Sequence, residues 1–548
     1  MTHSAAADVV IVGNGPVGQT TALLLANLGI RVAIVDKAAA RMPVGSKATT
    51  HRPNNLDIWD IVGAGSRMVA EGVAKVNSHV FYQDEHLFTE SYDDGAAKQY
   101  PPMITISQER VEAILDELIA EQPLISVHWN HDFVHFAQDS DGVTVHCRQA
   151  GGAETSFRGA FAVACVGSRA DAVHADLDVS FDGRRFDDKF LICDLTIPSA
   201  HWERDRFFHF DSQHNPGRQI LIQPCPNSSY RIDWQLPYEY DLDEDIASGG
   251  LDRRIRAVTG DRDYGINWTS VYRFQARLAS SFRVGRVFLA GDCAHLMSPF
   301  GGRGLNSGVC DAENLAWKLA FVIKGWAPEA LLDTYDEERA AAAFENLTVT
   351  ASTMDFLVPQ NDEQRARRIE LLEAARDRPG AETWSQIDTS RMAEAFWYFD
   401  SSLTTPDQSR PAPVEPPRGI VPRPGPGVLI PDLMIDIDGV PTRIRNLVRG
   451  RYTLLVEGPA AAAGSLQPNS GTYAIVAFSD IDPQGTLREL LAVAPGEIWI
   501  VRPDAYVAAV VQDNDIDRAR RLADLSDENN PGLQGPTAPR PQWMPATA

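Results

Sequence analysis

The stretch that decides the architecture is Val9-Val10-Ile11-Val12-Gly13-Asn14-Gly15-Pro16-Val17-Gly18, followed by the run to Leu28, then Gly29 and Val32-Ala33-Ile34-Val35-Asp36. Four β-branched residues in a row read as a buried strand. Thr20–Leu28 reads as a helix closed by Gly29, and Val32–Val35 as a second strand. Strand, turn, helix and strand in that order form a βαβ unit, which implies a parallel sheet. The turn carries G-x-G-x-x-G, with Pro16 in the same loop. Gly13 permits the tight turn, Gly15 lets a pyrophosphate approach the backbone, and Gly18 lets helix and strand pack closely. Asp36, at the end of the second strand, can accept from both hydroxyls of an adenosine ribose and disfavours a 2′-phosphate. The expected dinucleotide is FAD or NAD rather than NADP.

A second constellation bears on which dinucleotide it is. Arg286-Val-Phe-Leu-Ala-Gly-Asp292-Cys-Ala-His295 leads through Ser298-Pro299-Phe-Gly301-Gly302-Arg303-Gly304-Leu305-Asn306 into Asp311-Ala-Glu-Asn314-Leu-Ala-Trp317-Lys318-Leu319. An aspartate at a strand end can hold a polyol hydroxyl, and a glycine-rich loop feeding a helix presents free N–H groups to an electron-rich ring edge. A reduced flavin carries negative charge on such an edge. The helix should place Ala312, Leu315, Ala316, Leu319, Val322 and Ile323 on one stripe and stop near Gly325.

These motifs resemble the single-component FAD-dependent aromatic hydroxylases of the p-hydroxybenzoate and 3-(3-hydroxyphenyl)propionate hydroxylase type. The likeness runs from residue 8 to about 355. It implies that Asp292 binds the ribityl chain, that Pro299 through Asn306, with Gly302, Gly304 and Leu305, lie along the flavin, and that Gln108 touches FAD from the start of a helix. Two departures stand out. Where the family has an Arg-Ala pair, this chain reads Ser46-Lys47-Ala48; Lys47 keeps the charge without the planar fork that grips phosphate. Where the family has an Asp-Gly motif, this chain reads Cys165-Val166-Gly167-Ser168-Arg169-Ala170, so Gly167 and Arg169 survive and the carboxylate does not. That motif serves NAD(P)H as well as FAD.

The resemblance implies an α/β fold with an α+β middle domain: a Rossmann-like FAD-binding domain interleaved with a substrate domain on a mainly antiparallel sheet, plus a C-terminal thioredoxin-like domain. The expected boundaries are 1–174 for the first FAD-binding part, with a substrate-domain insertion near 75–105, then 175–280 for the substrate sheet and 281–400 for the second FAD-binding part. A proline-rich linker spans 401–432 and the last domain 433–548. In the middle, Arg206–Phe210, Gln219–Gln223 and Tyr230–Leu236 read as strands, and His209, Gln223, Arg231, Trp234 and Tyr272 are the candidate substrate contacts. For each of them a structural role is the default reading. His295 is read as a loop-fixing hydrogen-bond partner rather than a general base, and Cys293 as a small filler. In the last domain, Tyr452–Val456, Tyr473–Phe478 and Ile498–Val501 read as strands and Leu487–Ala494 as a helix. No cysteine lies there, which excludes thiol–disulfide chemistry and leaves oligomerisation, as in a homodimer, or lid support.

The implied reaction is hydroxylation of a phenolic or polyketide-like aromatic: NAD(P)H reduces FAD, and O2 forms a flavin C4a-hydroperoxide whose distal oxygen is transferred. A Baeyer–Villiger or ring-opening oxygenase on the same fold, and a flavin-binding ligand carrier without turnover, remain open alternatives. Composition agrees with a folded enzyme: 548 residues, 44% hydrophobic and 23% charged, suit two or three globular domains. A formal net charge of −24 argues against nucleic acid and anionic lipid as partners. Six scattered cysteines have no metal-type spacing, and no apolar run is long enough for a membrane span. With no leader pattern before Val9, the expected location is the cytoplasm.

Overall fold

The computed structural model describes residues 7–42, 48–92, 99–198, 204–298, 302–377, 395–411, 422–437, 439–458 and 472–526. Val9–Val12 is fully buried and pairs in parallel with Val32–Val35 on one side and Phe161–Ala164 on the other. The complete sheet has six strands, in the order Arg283–Val284, Val287–Leu289, Phe161–Ala164, Val9–Val12, Val32–Val35 and Ile125–His128. Only the short first edge strand is antiparallel to its neighbour. Buried on both faces, the four inner strands need the continuous apolar runs seen in their sequences. The helix after the first strand, Pro16–Asn27, has Pro at its first turn, where the missing N–H costs nothing, and stops at Gly29, whose φ is +76°.

The middle of the chain forms an eight-stranded sheet in the order His295–Leu296, Gly265–Ala279, Phe181–Thr196, Ser229–Leu236, Gln219–Cys225, Arg206–Phe210, Asn77–Tyr82 and Glu85–Ser91. All neighbours are antiparallel except Arg206–Phe210 with Asn77–Tyr82. One face packs under the helices Leu242–Ala247 and Gly250–Thr259, through Leu251, Ile255 and their neighbours. The other face looks toward the six-stranded sheet across a cavity.

The helix Arg303–Ile323 is buried all round rather than on one stripe; Glu313, Asn314, Trp317 and Lys318 are as enclosed as Leu315 and Leu319. The reason is a second layer. The C-terminal sheet, with strands in the order Tyr473–Ala477, Tyr452–Val456, Glu497–Val501 and Val507–Gln512, covers the helix's outer side. Its first two strands are parallel and the rest antiparallel, with a closing helix Ile516–Ala523. The fourth strand is absent from the sequence reading. Charges cross this junction in pairs: Asp57 receives Arg445 at 3.2 Å and Arg449 at 2.8 Å, Arg449 also reaches Glu313 at 2.9 Å, and Arg502 reaches Glu338 at 3.0 Å. The start of the proline-rich connector is packed here too, for Leu403 is buried, and just before it Tyr398 is buried and accepts a hydrogen bond from Arg339 at 2.9 Å.

Candidate active site

Two loops and one sheet face enclose a cavity of about 860 Å³. At one end is the glycine loop. Gly13 has φ +107°, and a Cβ there would lie 2.4 Å from the Cys165 carbonyl oxygen; a Cβ on Gly18 would lie 2.1 Å from the Gly13 carbonyl oxygen. Both are pinned by backbone. A Cβ on Gly15, by contrast, would meet no atom within 4 Å, so the space beside this residue is open to a ligand. The Asp36 carboxylate accepts the Asn14 amide at 2.7 Å and the Ala38 amide at 2.8 Å. Arg41 reaches the Asn14 carbonyl at 2.6 Å and is held by Asp116 at 2.7 Å and Glu112 at 3.0 Å. Gln108, at the start of its helix, accepts the Ala48 amide at 3.1 Å and donates to Glu112 at 2.8 Å. Lys47 and Pro299 lie outside the described residues.

At the centre, Asp292, Gly302, Arg303, Gly304 and Leu305 line the cavity opposite Val166, Gly167 and Arg169. Asn306 does not line it. Its side chain instead donates to the Thr50 carbonyl at 2.9 Å and accepts the Arg52 amide at 3.1 Å, fixing the helix start to the neighbouring chain. Asp311 anchors the loop from behind: it accepts the Gly291 amide at 2.9 Å, His295 Nε2 at 2.7 Å and Arg339 at 2.7 Å, all buried. Burial works against its carboxylate, but His295 and Arg339 outweigh that and hold it down at about 2. His295 is thus turned away from the cavity. Cys293 is fully enclosed, and burial pushes its thiol up.

The far end is the eight-stranded sheet. Alternation along a strand sends successive side chains to opposite faces, and this separates the candidates. Gln223, Arg231 and Tyr272 line the cavity; so do Phe190, Phe208 and Phe274. His209 and Trp234, expected as substrate contacts, do not. Trp234 sits on the outer face among Leu191, Ile220, Ile232 and the helix residues Leu251 and Ile255. His209 stacks on Phe81 with centroids 4.6 Å apart, and burial pulls its imidazole down to about 4. Replacing His209 with Phe is therefore expected to leave kcat and KM within about twofold. A loss of roughly tenfold or more in steady-state turnover would put it back in the site.

Gln223 accepts from Lys75 Nζ at 3.0 Å, and Arg231 forks onto Asp194 at 2.8 and 3.0 Å. Two residues beyond Arg231 on the same strand lies Asp233, whose cross-strand partners are Ile192 and Leu221. Among the described residues no helix is long and apolar enough to cross a membrane, and no cluster of His, Cys, Asp or Glu could hold a metal ion.

Over residues 6–350 the chain matches the family model described as FAD binding domain. It belongs to this FAD-binding family. The 3-(3-hydroxy-phenyl)propionate/3-hydroxycinnamic acid hydroxylase of Mycobacterium sp. (strain JLS) is 30% identical over 372 residues, which is 67% of this chain and 63% of that protein. The match therefore spans less than two thirds of that relative. The 6-methylpretetramide 4-monooxygenase of Streptomyces rimosus is 28% identical over 571 residues, 97% of this chain and 96% of that protein. In fold, the chain is similar to the crystal structure of the flavin-dependent monooxygenase PieE in complex with FAD and substrate: TM-score 0.81 at 22% identity, covering 98% of this chain and 100% of that one.

The residues present fit FAD. Open space beside Gly15 suits a pyrophosphate, and the Asp36 carboxylate stands at the end of the strand next to it. The Gly302–Leu305 loop starts a long helix whose free N–H groups and dipole favour a reduced, negatively charged ring. Sequence reading missed Arg41, Asp311, Lys75 and Asp233. For Arg41 and Asp311 no local signal exists, because their partners lie 75 and 28 residues away.

Proposed function

We propose that the chain is an FAD-dependent monooxygenase that takes electrons from NAD(P)H and one oxygen atom from O2 to hydroxylate a phenolic or polyketide-like aromatic small molecule. The carrying observation is a single cavity that runs from the glycine loop and Asp36 to an aromatic-lined sheet face. Bound FAD supplies the redox chemistry. The chain supplies the rest. Gly13, Gly15, Pro16, Gly18, Asp36, Gln108, Arg169, Asp292, Gly302, Gly304 and Leu305 would hold the dinucleotide. Phe190, Phe208 and Phe274 offer apolar surface that excludes water around a planar ring, while Gln223, Arg231 and Tyr272 supply polar contacts. The C-terminal domain, read as thioredoxin-like without redox cysteines, supports the helix Arg303–Ile323 through Arg449 on Glu313 and the following helix, Asp333–Leu357, through Arg502 on Glu338.

Val166 makes the nicotinamide step the sharpest test, because a valine stands where the family resemblance implies a carboxylate. Anaerobic titration of the yellow holoprotein with NADH and NADPH, with and without a panel of phenols, is expected to bleach the flavin, faster when a substrate phenol is present. Flavin that stays oxidised under every combination would overturn the monooxygenase reading in favour of a ligand carrier. Products from oxygen-18 gas should carry a single labelled hydroxyl; a lactone or opened ring would overturn hydroxylation.

A further inference from the structure

Among the described residues, six carboxylate side chains line the cavity: Asp36, Glu109, Glu112, Asp132, Asp292 and Asp233. Four belong to the dinucleotide end and Asp292 to the centre. Of these six, Asp233 is the one that stands on the sheet face, where the aromatic substrate of the proposed function would lie. Its surroundings are unusual for a charged group. The cross-strand neighbours on either side, Ile192 and Leu221, are apolar and also line the cavity. Its Oδ1 is buried and has no hydrogen-bond partner among the described residues. The cations nearest to it are engaged elsewhere: Arg231, two residues before it, is forked onto Asp194, and Lys75 donates to Gln223. A buried carboxyl oxygen without a donor costs free energy on the order of 1–3 kcal/mol, a penalty that a ligand hydroxyl would remove.

We propose that Asp233 is the general base of this enzyme, accepting the proton of the substrate's phenolic hydroxyl. The inference rests on the hydroxylase reading above. In the step, the substrate O–H bond breaks, an Oδ–H bond forms on Asp233, and the electron pair stays on the substrate oxygen, where it activates the ring's ortho and para carbons. Asp233 thereby becomes neutral, while Arg231 and Lys75 keep their positive charge and favour the phenolate. The other groups on this face serve less well. The phenol of Tyr272 is raised by burial, and His209 and Trp234 face the other way.

The titration behaviour agrees. Burial pushes Asp233 up, Arg231 pulls it back, Asp194 pushes it up and Lys75 pulls it down, leaving it at about 7. A base poised there matches the operating pH best. The sign follows: kcat/KM for an un-ionised phenol should rise with pH through about 7 as Asp233 loses its proton.

The test uses the FAD-loaded enzyme and two phenols, one un-ionised at neutral pH and one polychlorinated phenol already ionised there. Asp233→Asn is expected to lower turnover of the first by roughly 10²- to 10⁴-fold and to abolish the rise near neutral pH, while turnover of the second changes by less than about threefold. Flavin content and thermal melting report whether the variant folds. Asp233→Glu, which keeps a carboxylate, should retain the pH-dependent limb and recover part of the rate. Equal losses on both phenols, or an unchanged pH profile in Asp233→Asn, would overturn the role of Asp233 alone. A wild-type enzyme inert toward every phenol would overturn the hydroxylase reading, and this role with it.

Discussion

Gly15→Ala should yield a folded protein that no longer holds flavin, whereas Gly18→Ala should fail to fold well at all. The two residues stand three positions apart in one motif, and the difference comes from what a methyl group would meet. At Gly18 it would lie 2.1 Å from the Gly13 carbonyl oxygen and 3.3 Å from Ile11 Cγ2, so the helix Pro16–Asn27 would have to lift off the central strand. Overpacking of this kind costs about 1–3 kcal/mol and more when backbone must move. At Gly15 nothing lies within 4 Å, and the backbone there, φ −84° and ψ 179°, is one any residue adopts. The folded-state cost is only that of Ala at a helix N-cap, about 1 kcal/mol. Yet the same open space is where the pyrophosphate would approach, so the methyl group should weaken FAD binding by on the order of 100-fold, the 2–3 kcal/mol expected for displacing a close backbone contact. Thermal melting of apoprotein and flavin retained after gel filtration separate the two effects. Stoichiometric yellow Gly15→Ala protein would refute this account of the loop.

The contrast between those glycines was legible in the sequence because each role follows from position within a strand–loop–helix unit. The sheet face was legible too, though it went unread. In Tyr230-Arg-Ile-Asp-Trp-Gln-Leu236, Tyr, Ile, Trp and Leu alternate with Arg231, Asp233 and Gln235. Period-two alternation says that Trp234 and Asp233 cannot share a face. Aromaticity made Trp234 attractive as a contact, but the helix Gly250–Thr259 covers its side, which places the polar set toward the cavity. Other features had no local trace. Asp57 gathers three arginines from residues 443–449, and Glu338 meets Arg502. Such long-range pairs depend on how the C-terminal sheet docks, and docking is set by complementary surfaces far apart in sequence. The helix Arg303–Ile323 illustrates the consequence: a stripe of apolar residues correctly marks its inner side, and its polar outer side is nonetheless buried, with Trp317 on Asp504 and Glu313 on Arg449 of the second layer.

Asp311→Asn should be the most damaging change outside the cavity. The carboxylate accepts from the Gly291 amide, His295 and Arg339 at once, and all of them are shielded from water. An amide keeps the shape but cannot neutralise Arg339, whose remaining partners are Tyr398 and Ser307. Removing one partner of a buried ion pair costs about 3–5 kcal/mol, equivalent to a fall of roughly 5–10 °C in apparent melting temperature. A second effect follows at the site. Gly291 precedes Asp292, so a loosened Gly291 amide frees the strand-end loop that faces the flavin, and FAD affinity should fall with stability. The wild-type pH dependence gives an independent check. Asp311 sits at about 2 when folded against an ordinary value of 3.8. Its stabilisation is therefore complete above 3.8 and is lost as pH falls from there through about 2. The difference is worth about 2 kcal/mol, and it should vanish from the acid limb of the stability curve in Asp311→Asn. Melting curves of wild type and variant between pH 2 and 7, recorded with and without saturating FAD, carry the test. If the two proteins lose stability in parallel below pH 4 and bind FAD equally, Asp311 does not hold the loop, and the ordering of Asp292 must come from the residues in front of it.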